Sequence, residues 1–167
     1  MPLIKLNATL GLTGSLPAVS GANLTGISAG KVLQVVSAND NTSRSTTSNS
    51  FVTGSNTLSV NITPSSSSNK VYVIVSVNVH GSTTTANAIS TIYRDSTNLG
   101  NGTSGFATCY SEGGADIAIS QPMSILDSPN TTSQVTYQVY FRAGSSANAF
   151  LNAFNEKGTI TAFEIEG

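Results

Sequence analysis

The chain has 167 residues, a net charge of −1 and only 9% charged residues, while Ser, Thr and Asn together make up about 38% of it. This length is enough for one domain with a sizeable core. The seven Lys and Arg residues are scattered singly, and no stretch approaches the ~20 apolar residues that span a membrane. We therefore expect neither a nucleic-acid partner nor a membrane partner.

Residues 1–30 differ from the rest of the chain and are predicted to form an extended N-terminal arm or connector. This segment is rich in glycine, shows no helix start signal, and spaces its apolar residues too widely for a core. It also lacks the cationic start and long apolar run of a signal peptide, so we expect synthesis in a cytoplasm. Ordering such an arm requires burial against another surface. The predicted anchoring residues are Leu3, Ile4, Leu6, Leu10, Leu12 and Leu16.

Residues 31–167 form the folded domain in this interpretation, as a succession of short strands separated by turn sequences. In chain order the strands are KVLQVVSA, TLSVNIT, VYVIVSVNVH, AISTIYRD, FATCYS, DIAISQPMSIL, QVTYQVYFR, ANAFLNAFN and ITAFEIEG. Eight to ten short strands and no credible helix predict an all-β domain, a β-sandwich or jelly-roll knob. A triple-stranded β-helix shaft would instead show a short strict repeat, which this region lacks.

The stretch VYVIVSVNVH at 71–80 shows that some strands have two apolar faces. Valine occupies every odd position, and that face must be buried. The other face starts with Tyr72 and Ile74, becomes polar, and ends in His80, the chain's one histidine. Either loops cover such second faces or subunits meet there in a closed ring, and we favour subunit contacts. The predicted interface residues are Tyr72, Ile74, Tyr140, Phe150 and Phe154.

Residues suited to catalysis or metal binding are sparse. One histidine and one cysteine supply no metal-ligand cluster, and the eight acidic residues are dispersed. A site built from His80 with Cys109, or with a serine and an aspartate, is not excluded by counting, but no serine lies in a nucleophile-elbow sequence. We expect Cys109 to be a small buried apolar residue. We therefore predict no enzymatic activity, no catalytic or metal site, and no cofactor.

The order of several stretches resembles a domain found in tail-fibre and virion structural proteins of phages, especially marine and cyanobacterial phages. These stretches are KVLQVVSANDNTSRSTTSNSFV, LSVNITPSSSSNKVYVIVSVNV, IYRDSTNLGNG, SILDSPNTTSQVTYQV and GTITAFEIEG, preceded by the connector-like LPAVSGANLTGI. The resemblance implies a trimeric virion appendage with a jelly roll of the tumour-necrosis-factor or C1q-head type. Fibre proteins usually carry long shafts, and the short arm here favours a capsid decoration (cement) or head-fibre trimer.

Two functions follow as expectations. The first is a homotrimeric, non-enzymatic decoration protein on the virion exterior, bound to the major capsid protein or another virion protein through its arm. The alternative is a tail-fibre tip that recognises a host-surface glycan. Exposed aromatic residues beside polar side chains suit sugars, and the candidates are Tyr93 with Arg94 and Asp95, or Tyr110.

Overall fold

A computed structural model describes residues 30–81, 87–110, 117–144 and 148–167. Within these ranges every regular element is a strand, which confirms the prediction of an all-β sandwich. The strands are β1 (Val32–Asp40), β2 (Arg44–Thr46), β3 (Ser59–Ile62), β4 (Lys70–Gly81), β5 (Asn87–Arg94), β6 (Thr97–Asn98), β7 (Ala107–Tyr110), β8 (Ile117–Asp127), β9 (Val135–Ala143), β10 (Ala149–Leu151) and β11 (Gly158–Ile165).

The strands form two antiparallel sheets. In sheet A, β8 pairs with one edge of β4, while β11 and β10 pair one after the other with its opposite edge. On the far side, β1 pairs with β11 and β2 pairs with β10. Sheet B has the order β3-β9-β5, with β6 and β7 both pairing with β5. The main strands therefore run β8-β4-β11-β1 in one sheet and β3-β9-β5-β7 in the other. The chain crosses repeatedly between the sheets, as in a jelly roll.

The core lies between the sheets and is built from alternate residues of each strand. In β4 the five valines at odd positions are 0–2% exposed, as the alternation predicts. They meet the inward side chains of sheet B, which include Tyr137 and Phe141 of β9 and Ile92 of β5. Because side chains alternate between faces with period 2, the even positions of β4 must point away from this core.

One predicted strand is much shorter than the sequence suggests. The stretch ANAFLNAFN, predicted as a strand over 147–155, is extended only from Ala149 to Leu151. Asn152 and Asn155 both have positive φ, 53° and 61°, and a strand cannot continue through the left-handed region. Phe154 is therefore in the connection that leads to β11, not on a strand face.

Candidate functional site

The outer face of sheet A carries an apolar row that crosses four strands. Val35 of β1 pairs with Phe163 of β11, Phe163 pairs with Tyr72 of β4, and Tyr72 pairs with Leu126 of β8. Val35 is 52% exposed and Leu126 53%, while Ile74, one row further along β4, is 40% exposed. Tyr72 and Phe163, between them, are half-buried, and in the described part of the chain nothing covers the row fully. We call these four paired residues, together with Ile74 beside them, the apolar row.

The rest of this face becomes polar along β4. Ile74 is flanked by Thr161 and Ser124, and the next outward residue, Ser76, by Thr159 and Pro122. At the far end, His80 is buried beneath two aromatic rings, with centroid distances of 5.3 Å to Phe150 and 5.8 Å to Phe154. The change from apolar to polar between Tyr72 and Ser76 is therefore shared by the neighbouring strands, and aromatic rings return around His80.

The five residues predicted to form the subunit interface do not all lie on one face. Tyr72 and Ile74 belong to the apolar row, and Phe150 lies on the same outer face near His80. Phe154 is 68% exposed beside that ring cluster. Tyr140 lies on the outer face of sheet B, so a single surface cannot contain all five. Sequence reasoning missed Val35, Leu126 and Phe163, whose place in the row depends on strand pairing.

The outer face of sheet B is covered by the chain itself. The connection 99–106 lies over β5, where Ile89 and Thr91 point outward yet are 5% and 0% exposed. Tyr140 stacks on Tyr93 with ring centroids 4.0 Å apart, and the edge of Phe51 meets Tyr93 at 6.3 Å. On this sheet, therefore, loops of the same chain cover the second apolar face, which was the alternative to subunit contacts.

The predicted sugar platform around Tyr93 is not assembled in the structure. One face of the Tyr93 ring is occupied by Tyr140, and Arg94 turns away to the carboxylate of Asp127, at 2.7 and 2.9 Å. Asp95 accepts a hydrogen bond from the backbone N–H of Thr136. The other candidate, Tyr110, is 53% exposed at the end of β7.

Glu164 is a buried carboxylate that was not among the residues predicted from the sequence to form a site. It is 1% exposed and accepts hydrogen bonds from Gln34 Nε2 at 2.8 Å, Asn69 Nδ2 at 2.6 Å, and the N–H and hydroxyl of Ser65 at 2.7 and 2.8 Å. Burial alone would raise the pKa of Glu164, but these donors outweigh it and lower the pKa to about 2. Its role in this geometry is to hold the turn between β3 and β4 against β11.

A second buried carboxylate, Asp127, connects the two sheets. Besides Arg94 it accepts the hydroxyl hydrogen of Tyr137 at 2.6 Å. Burial raises the pKa of Tyr137 well above its usual value, and the bond to Asp127 raises it further. For Arg94, burial would lower the pKa, but the contact with Asp127 outweighs it and raises the pKa. This cluster keeps its charges paired and acts as a structural tie at one end of the sandwich.

Asp40 forms a third such cluster at the end of β1. It accepts the backbone N–H groups of Thr42 and Thr57 at 2.8 and 2.9 Å and contacts Arg44 at 3.3 Å. Burial would raise the pKa of Asp40, but the two N–H groups and the charge of Arg44 lower it. The three buried carboxylates thus accept hydrogen bonds that join strands and turns.

The remaining candidates for chemistry are placed as follows. Cys109 is buried, as predicted, with its Sγ 3.5 Å from the carbonyl oxygen of Ile117. Burial raises the pKa of its thiol. Among the residues that the structure describes, no group of three His, Cys, Asp or Glu side chains gathers to hold a metal ion. The same residues contain no helix long and apolar enough to cross a membrane.

Residues 1–29 of the predicted arm lie outside the described residues, which begin at Gly30. The boundary between arm and domain therefore stays a prediction. The same holds for the anchoring role of Leu3, Ile4, Leu6, Leu10, Leu12 and Leu16.

A shallow depression lies beside the covered face of sheet B. It has a volume of about 430 Å³, and Arg142 of β9 reaches into it next to the ring of Phe51. The other lining residues are Asn49, Ser50, Gly102 and Thr103.

No protein-family model and no curated protein matches this chain. Solved structures that are similar include three of infectious bursal disease virus: a mutant VP2 protein in derived T=1 particles, a VP2 subviral particle, and the Gx strain. Their sequence identities are 13%, 14% and 11%, and their TM-scores 0.39, 0.38 and 0.36. They match 89%, 80% and 81% of this chain but only 40%, 37% and 37% of their own lengths. This chain spans about two fifths of those proteins.

Proposed function

We propose that the chain is a non-enzymatic structural protein of a virus particle and that it forms a homotrimer through the outer face of sheet A. The role in a virus particle rests on the sequence resemblance, and the observation that best supports self-association is the apolar row, which continues across all four main strands of that sheet. Of the outward side chains of β4, only Lys70 carries a permanent charge. Large uncovered apolar patches are typical of interaction surfaces.

A second copy of the chain is the occupant that this face suits. The row crosses the strands and meets a polar region of Ser, Thr and Asn, as the apolar centre of an interface meets its rim. Identical subunits in a closed ring bury such faces from every copy at once, without leaving an edge. Sheet B, whose outer face the chain covers itself, would then point away from the ring.

The oligomeric state tests the proposal directly. Sedimentation at micromolar concentration should give three times the 17.1 kDa of the single chain. Ile74→Asp and Leu126→Asp should each yield folded monomers, because a charge enclosed in an apolar interface is costly, whereas in the monomer it would face water. Thr108→Asp, at an exposed strand position of sheet B, is the matched control and should remain trimeric. A wild-type monomer, or trimers for both variants, would reject this interface.

The location on a phage capsid, with residues 1–30 as the attachment, is the finer part of the proposal and rests on the sequence resemblance. Deleting residues 1–28 should leave a trimer of unchanged stability that no longer binds capsids. Dozens to hundreds of copies per particle are expected for a decoration protein, and a few copies would indicate the tail instead. Full occupancy of capsids by the truncated protein would show that attachment runs through the folded domain.

A further inference from the structure

The three arginines of the described residues differ in how their charges are balanced. Arg44 contacts Asp40 at 3.3 Å, and Arg94 contacts Asp127 at 2.7 Å. Arg142 contacts no carboxylate among the residues that the structure describes. A partly buried guanidinium without a counter-charge is unusual in a chain that pairs its other two arginines with buried acids.

Neutral groups hold Arg142 in place. Its Nη1 donates to the carbonyl oxygens of Asn49 at 3.1 Å and Ala143 at 3.2 Å, and its Nη2 donates to the carbonyl oxygen of Thr103. The ring of Phe51 lies 5.3 Å from the guanidinium carbon. Because a guanidinium has five N–H donors, these contacts leave one hydrogen on Nη2 and the buried Nε–H, which has no partner. The fork is thus fixed in position while its charge stays unbalanced.

The depression in front of Arg142 offers both polar and apolar contacts. It is lined by Asn49, Ser50 and Thr103, whose side chains carry amide and hydroxyl groups, and by Phe51, which has an apolar ring. The volume of about 430 Å³ is within the range of small-molecule sites. A shallow site of this kind suits a ligand that exposes hydroxyl groups on one side and remains partly in water.

We propose that this depression binds a saccharide that carries a carboxylate, such as a uronic acid residue. The one Nη2 hydrogen that Arg142 has left donates to the carboxylate, and the two charges balance each other. The side chains of Asn49, Ser50 and Thr103 exchange hydrogen bonds with the hydroxyls, and Phe51 contacts the apolar side of the sugar ring. The site is on sheet B, opposite the proposed trimer face, so it stays open whether or not the trimer forms.

Calorimetric titration of the full chain with glucuronate and galacturonate tests the proposal, with glucose, galactose and acetate as comparison ligands. The uronates should bind measurably at millimolar concentrations, and each comparison ligand at least tenfold more weakly, because charge and hydroxyls are both needed. Arg142→Lys keeps the charge but loses the guanidinium that three backbone carbonyls hold in position, and it should weaken uronate binding by about tenfold or more. Lys70→Ala removes an exposed cation from sheet A and should leave the affinity unchanged.

Thr103→Ala decides the question even if Arg142→Lys loses its fold, because it retains the backbone carbonyl that Arg142 contacts. It should weaken uronate binding by about threefold. Equal affinity for acetate would mean that the site takes any small anion, and equal affinity for glucose would mean that the charge has no part. Either result, unchanged uronate affinity in Thr103→Ala, or no uronate binding at tens of millimolar, would overturn the proposal.

Discussion

Replacing Glu164 by glutamine should remove a large part of the stability that this fold has at neutral pH. The side chain is 1% exposed, and its carboxylate accepts four hydrogen bonds, from Gln34, Asn69 and twice from Ser65. Folding lowers its pKa from 4.5 to about 2. At about 1.4 kcal/mol per pKa unit, the ionised group contributes about 3 kcal/mol. Glutamine keeps one acceptor but turns an amide NH2 toward these donors, so we expect a loss of about 3 kcal/mol at pH 7.

The pH dependence gives the same prediction a second readout. A carboxyl group whose pKa is lower in the folded state stabilises the fold above its unfolded pKa, and this stability is lost as the pH falls toward the folded pKa. The free energy of unfolding of the wild type should therefore fall between about pH 4.5 and 2. In Glu164→Gln this fall should become smaller without vanishing, because the pKa of Asp40 is also lowered.

Urea denaturation at a series of pH values, at one fixed protein concentration, measures both effects. Glu166→Gln is the matched control, since Glu166 is an exposed carboxylate two residues away, paired with the exposed Lys31 at 3.3 Å. It should change the stability by less than about 0.5 kcal/mol. A Glu164→Gln protein as stable as this control, or one with the full acid sensitivity of the wild type, would refute the reasoning.

Two further outcomes are expected from the buried polar groups. Tyr137→Phe should lower the free energy of unfolding by about 1–3 kcal/mol in urea titrations, because Asp127 loses a buried donor. The control Tyr110→Phe, at an exposed position, should change the free energy of unfolding by less than about 0.5 kcal/mol. The thiol of Cys109 should react with a colorimetric thiol reagent only as fast as the chain unfolds, since it is buried against Ile117 and its pKa is raised. Rapid reaction under native conditions would contradict the buried placement.

Strand positions were predictable wherever the alternation of apolar and polar residues was long. The valines of β4 and the alternating residues of β9 indicate both the strand and its buried face, because period 2 is a property of the local backbone. The prediction was wrong after Leu151, where a local pattern of Ala and Phe continues but the backbone turns at Asn152. Asparagine adopts the left-handed region more readily than most residues, and that signal was available in the sequence.

The burial of Glu164 also follows from the alternation of apolar and polar residues in its strand. In ITAFEIEG it shares a face with Ile160 and Ala162, which are buried, so the alternation already places a carboxylate on the inner face. Its partners Gln34 and Asn69 come from distant parts of the sequence and could not be assigned to it. The burial of this carboxylate was therefore predictable from the sequence, whereas the hydrogen-bond donors that stabilise it were not.

The sequence by itself determined the all-β class, the buried faces of β4 and β9, and the existence of strands with a second apolar face. Only the tertiary structure decided where those second faces meet. Val35, Tyr72, Leu126 and Phe163 are separated by tens of residues and form one row through the register of four strands, while Tyr140 lies on the other sheet, stacked on Tyr93. The physical reason is that alternation is set by each strand's own backbone, whereas register and coverage are set by pairing between segments far apart in the chain.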